Sequence, residues 1–156
     1  MTTPGKRMAH DHHFIDDKFS AFAEAARGGR FARFQLEDGI ARLRHHFWVE
    51  EEFVFAPMAH SHAGPVSVML RQHGEIWDLV DELESLLTQS NPDPEMALTL
   101  FTGLRQVMDA HNATEDSILY PITDDMLGDD LARVLLDALA TDMPPGWRCA
   151  MAKAVV

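Results

Sequence analysis

The chain has 156 residues, 46% of them hydrophobic and 24% charged, with 25 acidic against 13 basic side chains and a formal net charge of −12. A length of this order is that of one domain burying roughly 70% of its unfolded surface, and the charge argues against nucleic acid or an anionic membrane face as a partner. No apolar run approaches the ~18 residues of a membrane span, the N-terminal "MTTPGKRMAH" carries no apolar signal core, and the single Cys149, read as a half-buried residue near a chain end, leaves no disulfide framework and no cysteine-based zinc site, so a cytoplasmic protein is expected.

The first helical pattern runs from about Lys6 to Arg27 and stops at Gly28-Gly29. The second runs from about Arg30 to Ala56 and ends before Pro57. "PMAHSHAG" reads as a loop, and Pro65 then suits the first turn of a third helix that continues to about Gln89. In "SNPDP", Asp93 suits an N-cap and Pro94 the first position of a fourth helix, about Glu95 to Tyr120, which ends before Pro121. A shorter helix, about Asp130 to Ala140, follows Gly128, and Trp147 is expected to dock the tail on the body. Acidic "DELE" (Asp81, Glu82 and Glu84) and Asp124-Asp125 read as solvated faces. No segment alternates with the period of a strand. The expected fold is therefore all-α: an antiparallel up-down-up-down four-helix bundle over about residues 7–121, with a short additional C-terminal helix and tail over about 122–156, in a single domain spanning 1–156.

Each long helix has an inward stripe at spacings of three and four. The first stripe is Met8, His12, Ile15, Phe19, Phe22 and Ala26. The second passes through Leu36, Leu43, His46, Glu50 and Phe53/Val54; the third through Met69, His73, Ile76 and Val80; the fourth through Leu104, Met108, His111, Glu115, Ile118 and Ile122. The polar members are His12, His46, Glu50, His73, His111 and Glu115. In antiparallel helices, residues equally far from a turn lie level. His12 and His46 are each about 17 residues from Gly29, and His73 and His111 each about 19 from Pro92. An error of two residues in a turn centre displaces a side chain by only ~3 Å, so the six are expected in one layer.

A lone histidine on an apolar stripe is most simply a satisfied core residue. Four of them with two carboxylates and no lysine or arginine at that level are different. Each bare buried carboxylate would cost several kcal/mol unless positive charge sat beside it. Bound cations supply that charge. Imidazole and carboxylate without thiolate suit iron, manganese or zinc. Six donors are too many for one tetrahedral zinc and fit two octahedral ions that share the carboxylates. Iron fits best, and manganese is compatible. An internal repeat supports the reading: "HFWVEEEFVFAP" and "HNATEDSILYP" share His, three residues, Glu, an acid, then an apolar run ending in an aromatic residue and proline. Positions i and i+4 share a helix face, so each segment forms a His–Glu clamp.

These segments resemble the hemerythrin-like, or HHE cation-binding, family over about residues 8 to 125. "HDHHFIDD" is similar to its first-helix histidine segment, the two repeat segments to its His-x-x-x-Glu motifs, and "GPVSVMLRQH" to the start of its third helix. The resemblance implies an up-down bundle around a non-haem di-iron centre, oxo- or hydroxo-bridged, at which a small ligand such as oxygen, nitric oxide or peroxide occupies an open position. By motif, the implied ligands are His12, His46, Glu50, His73, His111 and Glu115, with Asp116 the alternative to Glu115. The sequence departs from the oxygen carriers at Trp77, which stands one turn after His73 where they place a further histidine.

Other residues are read separately. His13 and His45 point about 100° from their neighbouring candidates, with His45 a possible support for His46, and His10 is placed over the mouth of the site. His60 and His62 read as solvated loop residues, with a second metal site as the alternative. Asp16 is proposed to fix a ring tautomer, and Tyr120 to cap packing at a helix end. The leading functional expectation is binding or sensing of a small ligand, with any signal passing through a protein partner or self-association. The alternatives are a di-iron enzyme acting on peroxide or ferrous iron, iron storage or donation, and a metal held for structure alone.

Overall fold

A computed structural model describes residues 2–154, and among these every regular element is helical. Helix α1 (Pro4–Arg27) starts with Thr3, whose side chain caps Lys6 N–H, and with a proline in its first turn. It ends in a Schellman motif: Arg30 N–H bonds Ala25 O, Gly29 N–H bonds Ala26 O, and Gly29 takes φ +79°, which glycine adopts without strain. Helix α2 (Arg33–Val49) runs without interruption into a π-helical segment (Glu50–Phe55) and then the single turn α3 (Ala56–Met58). Helix α4 (Ala63–Ser85) tightens into a 3₁₀ turn at Leu86–Thr88. Helix α5 (Pro94–Thr114) is capped by Asp93, which accepts from Glu95 N–H at 3.0 Å. A second π-helical segment (Glu115–Leu119) joins α5 to α6 (Tyr120–Met126), and α7 (Asp129–Leu139) follows.

The second and fourth helical patterns were expected to end before Pro57 and Pro121, and the chain instead continues helically through both. Proline removes one backbone donor and crowds the preceding turn of an α-helix. Here each proline lies in the first turn after a π-helical segment, where the widened turn has already displaced the regular bonding pattern.

Helix α1 packs on α2 and α5, and α4 packs on the same two. Two apolar clusters fill the interior. One contains Ile15, Phe19, Leu43, Phe47, Ile76, Leu104 and Met108; the other contains Met8, Val54, Phe55, Met69 and Leu119. On every helix the expected polar residues fall between a member of one cluster and a member of the other. The inserted π turns also rotate the stripe beyond each glutamate by one position. Val54 and Phe55 are buried while Phe53 is only half-buried, and Leu119 is buried while Ile118, expected inside, is 50% exposed.

The tail docks as Trp147 suggested. Its ring meets Trp77 edge-on at 5.6 Å, and its Nε1–H donates to Glu52 at 3.3 Å. Cys149, expected half-buried, is buried at 3% exposure because this docking covers it. The "DELE" face is not simply solvated: Arg44 pairs with Asp81 at 2.7 Å and with Glu84 at 2.6 Å, and Arg148 reaches Asp81 at 2.9 Å. Asp124 is likewise engaged, accepting from Gly5 N–H at 2.8 Å at the start of α1. Among the described residues, no helix is long and apolar enough to cross a membrane.

Candidate metal centre

All six stripe residues are buried: His12 at 5% exposure, His46 at 1%, and Glu50, His73, His111 and Glu115 at 0%. Their donor atoms form two groups, each within 4.8 Å internally. The first contains His12, His46, Glu50 and Glu115; the second contains Glu50, His73, His111 and Glu115. Both glutamates belong to both groups. Glu50 lies against His46 Nε2, and Glu115 against His111 Nε2, one helical turn along the same face in each case.

The four imidazoles share one orientation. Each turns Nε2 toward the centre and Nδ1 toward an oxygen outside it. Asp11 faces His46 Nδ1 at 3.3 Å, Glu51 faces His73 Nδ1 at 2.8 Å, and Gln72 faces His111 Nδ1 at 2.8 Å. His12 Nδ1 lies 3.2 Å from Asp116 as an ion contact rather than an aligned hydrogen bond. An acceptor at Nδ1 selects the tautomer whose Nε2 lone pair is free, the form in which histidine ligates. Phe47 stacks on His73 at 3.7 Å between centroids and fixes its plane.

These outer partners correct three expectations. Asp16 was placed as the tautomer-fixing acid, but Asp116, Asp11, Glu51 and Gln72 hold those positions. His45 does not support His46: its Nε2 bonds Thr141 O at 2.7 Å. Tyr120 does more than cap packing, since its hydroxyl lies 3.1 Å from His12 Nε2 and 3.2 Å from His46 Nε2. In an uninterrupted α-helix, nine residues at about 100° each would turn Tyr120 to the side opposite His111. The extra residue of the π turn rotates it back to the centre.

The other candidates belong to neither donor group. Asp116 is 46% exposed in its side chain, whereas Glu115 is enclosed. His10 and His13 are exposed, as is His60, and His62 is half-buried with Nδ1 on Ser61 at 2.9 Å. Trp77 lies under the tail with the Arg44 guanidinium 5.0 Å and the Arg148 guanidinium 5.7 Å from its ring.

The electrostatics of the layer are unbalanced. Burial, reinforced by the Glu115 charge, pushes Glu50 well above the usual carboxylate range. Burial opposes ionisation of Glu115 as well, but the His111 charge, hydrogen bonding to Glu50 and His111 and the His12 charge together outweigh it and hold Glu115 well below that range. Burial, with the His111 charge, holds His73 well below its usual pKa, so it is neutral. Burial raises Glu51 to about 7 and raises the Tyr120 phenol well above its ordinary value. Asp11 behaves like Glu115: burial raises it, but the His46 hydrogen bond and charge, with the Arg42 charge, carry it below the ordinary value.

Both carboxylate oxygens of Glu50 and of Glu115, with Nε2 of His73 and of His111, are buried without a hydrogen-bond partner. Buried polar atoms are nearly always satisfied. Six such atoms converging on one spot form a donor set that fits cations.

The profile of the hemerythrin HHE cation binding domain matches residues 3–123. The chain is similar to the iron-sulfur cluster repair proteins YtfE of Salmonella paratyphi B, Salmonella newport and Salmonella heidelberg. Each is 29% identical over 89 residues, covering 51% of this chain and 40% of the relative, so the likeness spans less than half of those proteins. No solved structure matches the chain significantly. Because the family match takes in every helix that contributes to the polar layer, the chain belongs to the hemerythrin HHE cation binding domain family.

Proposed function

We propose that the chain is a four-helix bundle whose core holds two iron ions shared by Glu50 and Glu115, and that this centre binds or senses a small ligand such as oxygen, nitric oxide or peroxide. His12 and His46 would complete one position, and His73 and His111 the other. The packing of α1 and α4 on both α2 and α5 supports the bundle. The observation that carries the metal reading is the convergence of unpartnered glutamate oxygens and imidazole nitrogens at full burial. Manganese or zinc would meet the same donors.

When bound, the iron pair supplies redox chemistry and an open position for a small ligand. The chain's own residues set the surroundings. The two apolar clusters on either side of the layer restrict water. Asp11, Glu51 and Gln72 hold three imidazoles with Nε2 inward. Tyr120 places a phenolic O–H beside His12 and His46, where it can donate a hydrogen bond to a guest. The proposed compartment is the cytoplasm, with a protein partner or a second copy of the chain receiving any signal.

A second reading has one specific support, the printed name of the relatives: iron held here would be donated to damaged iron-sulfur clusters. A third treats the centre as an enzyme that turns over peroxide or oxidises ferrous iron. Stopped-flow absorption of the ferrous protein mixed with oxygen, nitric oxide and peroxide separates them. A persistent adduct supports binding and sensing. Catalytic loss of peroxide favours the enzyme, and loss of iron to a cluster-free acceptor protein without an adduct favours donation.

A further inference from the structure

We propose that the backbone amide of Ala150, acting through Glu51, is a positioning group for the His73–His111 half of the centre, so that the docked tail sets how tightly that half holds its ion. The proposal rests on the metal reading above and concerns a segment outside the family match, which ends at residue 123.

Three observations carry it. Ala150 N–H donates to Glu51 Oε1 at 2.9 Å, while the other oxygen of the same carboxylate accepts from His73 Nδ1 at 2.8 Å. One side chain thus ties the tail backbone to a ring whose Nε2 faces the centre. Second, the tail rests directly on the residue after His73. A Cβ at Gly74 would lie 2.4 Å from Met151 O, so only glycine admits this approach. Third, the tail is held on both sides of that contact. Trp147 lies on Trp77, Arg148 on Asp81, and Lys153 N–H donates to Asp78 at 2.9 Å. The first donor group has no comparable link: Asp11 and Asp116, which face its histidines, lie on α1 and the second π-helical segment.

The consequence is an asymmetry between the halves. Outer-shell partners of ligating histidines typically contribute 10–100-fold to metal affinity. The partner of His73 is itself held by a backbone donor 99 residues away in sequence. Undocking of the tail would free Glu51 to rotate and would loosen His73, leaving His12 and His46 in place.

The test uses Ala150→Pro in the full chain. Ala152 N–H bonds Cys149 O at 3.2 Å, which puts Ala150 at the second position of a turn, where proline is well accommodated. The substitution deletes one N–H and retains the turn. Ala150→Gly, which keeps the N–H, is the control, and Glu51→Ala cuts the same link from the other side. Ferrous iron is titrated anaerobically into each protein, and exchange of the His73 Nδ1 proton with solvent is followed by NMR in the metal-free state. The expected result is a second equivalent weakened at least tenfold in Ala150→Pro and Glu51→Ala, an unchanged first equivalent, wild-type behaviour of Ala150→Gly, and faster Nδ1 proton exchange in Ala150→Pro. Two equally tight equivalents in Ala150→Pro, or equal weakening in Ala150→Gly, would overturn the proposal. If the wild type takes up no iron, the metal reading fails by itself, and unchanged Nδ1 exchange in Ala150→Pro would then sink the positioning claim separately.

Discussion

Glu50 and Glu115 come from different helices, at the same place in a repeated His-x-x-x-Glu pattern, and each stands in both donor groups of the polar layer. Neither has a hydrogen-bond partner, and both are fully enclosed. Two acids so placed repel one another and are deprived of water, which is costly without compensating charge. Glu50→Gln should therefore have opposite effects in the two states. The metal-free protein should melt at a higher temperature, and iron per chain should fall. Calorimetry of chelated and loaded samples checks both signs; a substitution that lowered the melting temperature of the metal-free chain would refute the account of this pair.

His111→Ala should lower metal content and leave Glu115 as a buried acid without its neighbouring imidazole. Removing one partner of a buried charged pair typically costs about 3–5 kcal/mol. Urea unfolding of the metal-free variant measures the loss, and iron analysis measures the ligand role. Unaltered iron stoichiometry would remove His111 from the proposed ligand set. Asp116→Asn is the matched comparison and should retain iron, because asparagine keeps an acceptor oxygen that can face His12 Nδ1 and the residue stands outside both donor groups.

Tyr120→Phe removes a hydroxyl that lies near two imidazoles without removing the ring that packs in the apolar cluster. The expected loss is about 1 kcal/mol in metal-free stability, the scale of one net hydrogen bond. The larger effect should be on the lifetime of any small-ligand adduct, read by the stopped-flow experiment. Identical adduct decay in the variant and wild type would place the hydroxyl outside the ligand pocket.

Burial raises the Asp16 carboxyl above its ordinary value, and the Asp109 charge adds to this against an opposing Arg105. A carboxyl with a raised folded-state pKa favours folding while protonated, and that contribution is lost as pH rises through the folded pKa. Asp16→Asn should therefore raise the melting temperature at pH 7, with the gain narrowing as pH is lowered toward the unfolded value of 3.8. A gain independent of pH would show that charge burial is not its cause.

Cys149 lies within the docked tail, buried against the core, and burial pushes its thiol up to about 12. Thiolate is the reactive form. Iodoacetamide at pH 8 should label the folded chain far more slowly than the chain in urea. Ala150→Pro, which loosens the tail, should label faster than wild type; rapid labelling of the intact wild type would contradict the docking described here.

Much of this was legible from spacing alone. The regular part of each helix obeys a period near 3.6, so His12, His46, His73 and His111 could be counted onto inward faces and brought level from their distances to the turns. Glu50 and Glu115 followed because i and i+4 share a face. What could not be counted was the extra residue in each π turn, since a π turn and an α turn present the same local pattern. The sequence therefore reads Tyr120 only as packing at a helix end and Ile118 as interior. Glu51 was obscured for another reason: its partners, His73 and Ala150, lie on separate segments that only tertiary packing brings together. The adjacent acids of the two motifs, Glu51 and Asp116, were the available signal, one residue off the stripe and both facing a histidine Nδ1.

The claim on which the rest depends is that cations balance the buried carboxylates. Metal analysis of protein purified from iron-supplied cells, normalised to chain concentration, tests it most directly. The account predicts close to two iron ions per chain, falling in Glu115→Ala. A chain that contains no transition metal, and whose melting temperature is unchanged by added ferrous iron, would contradict it.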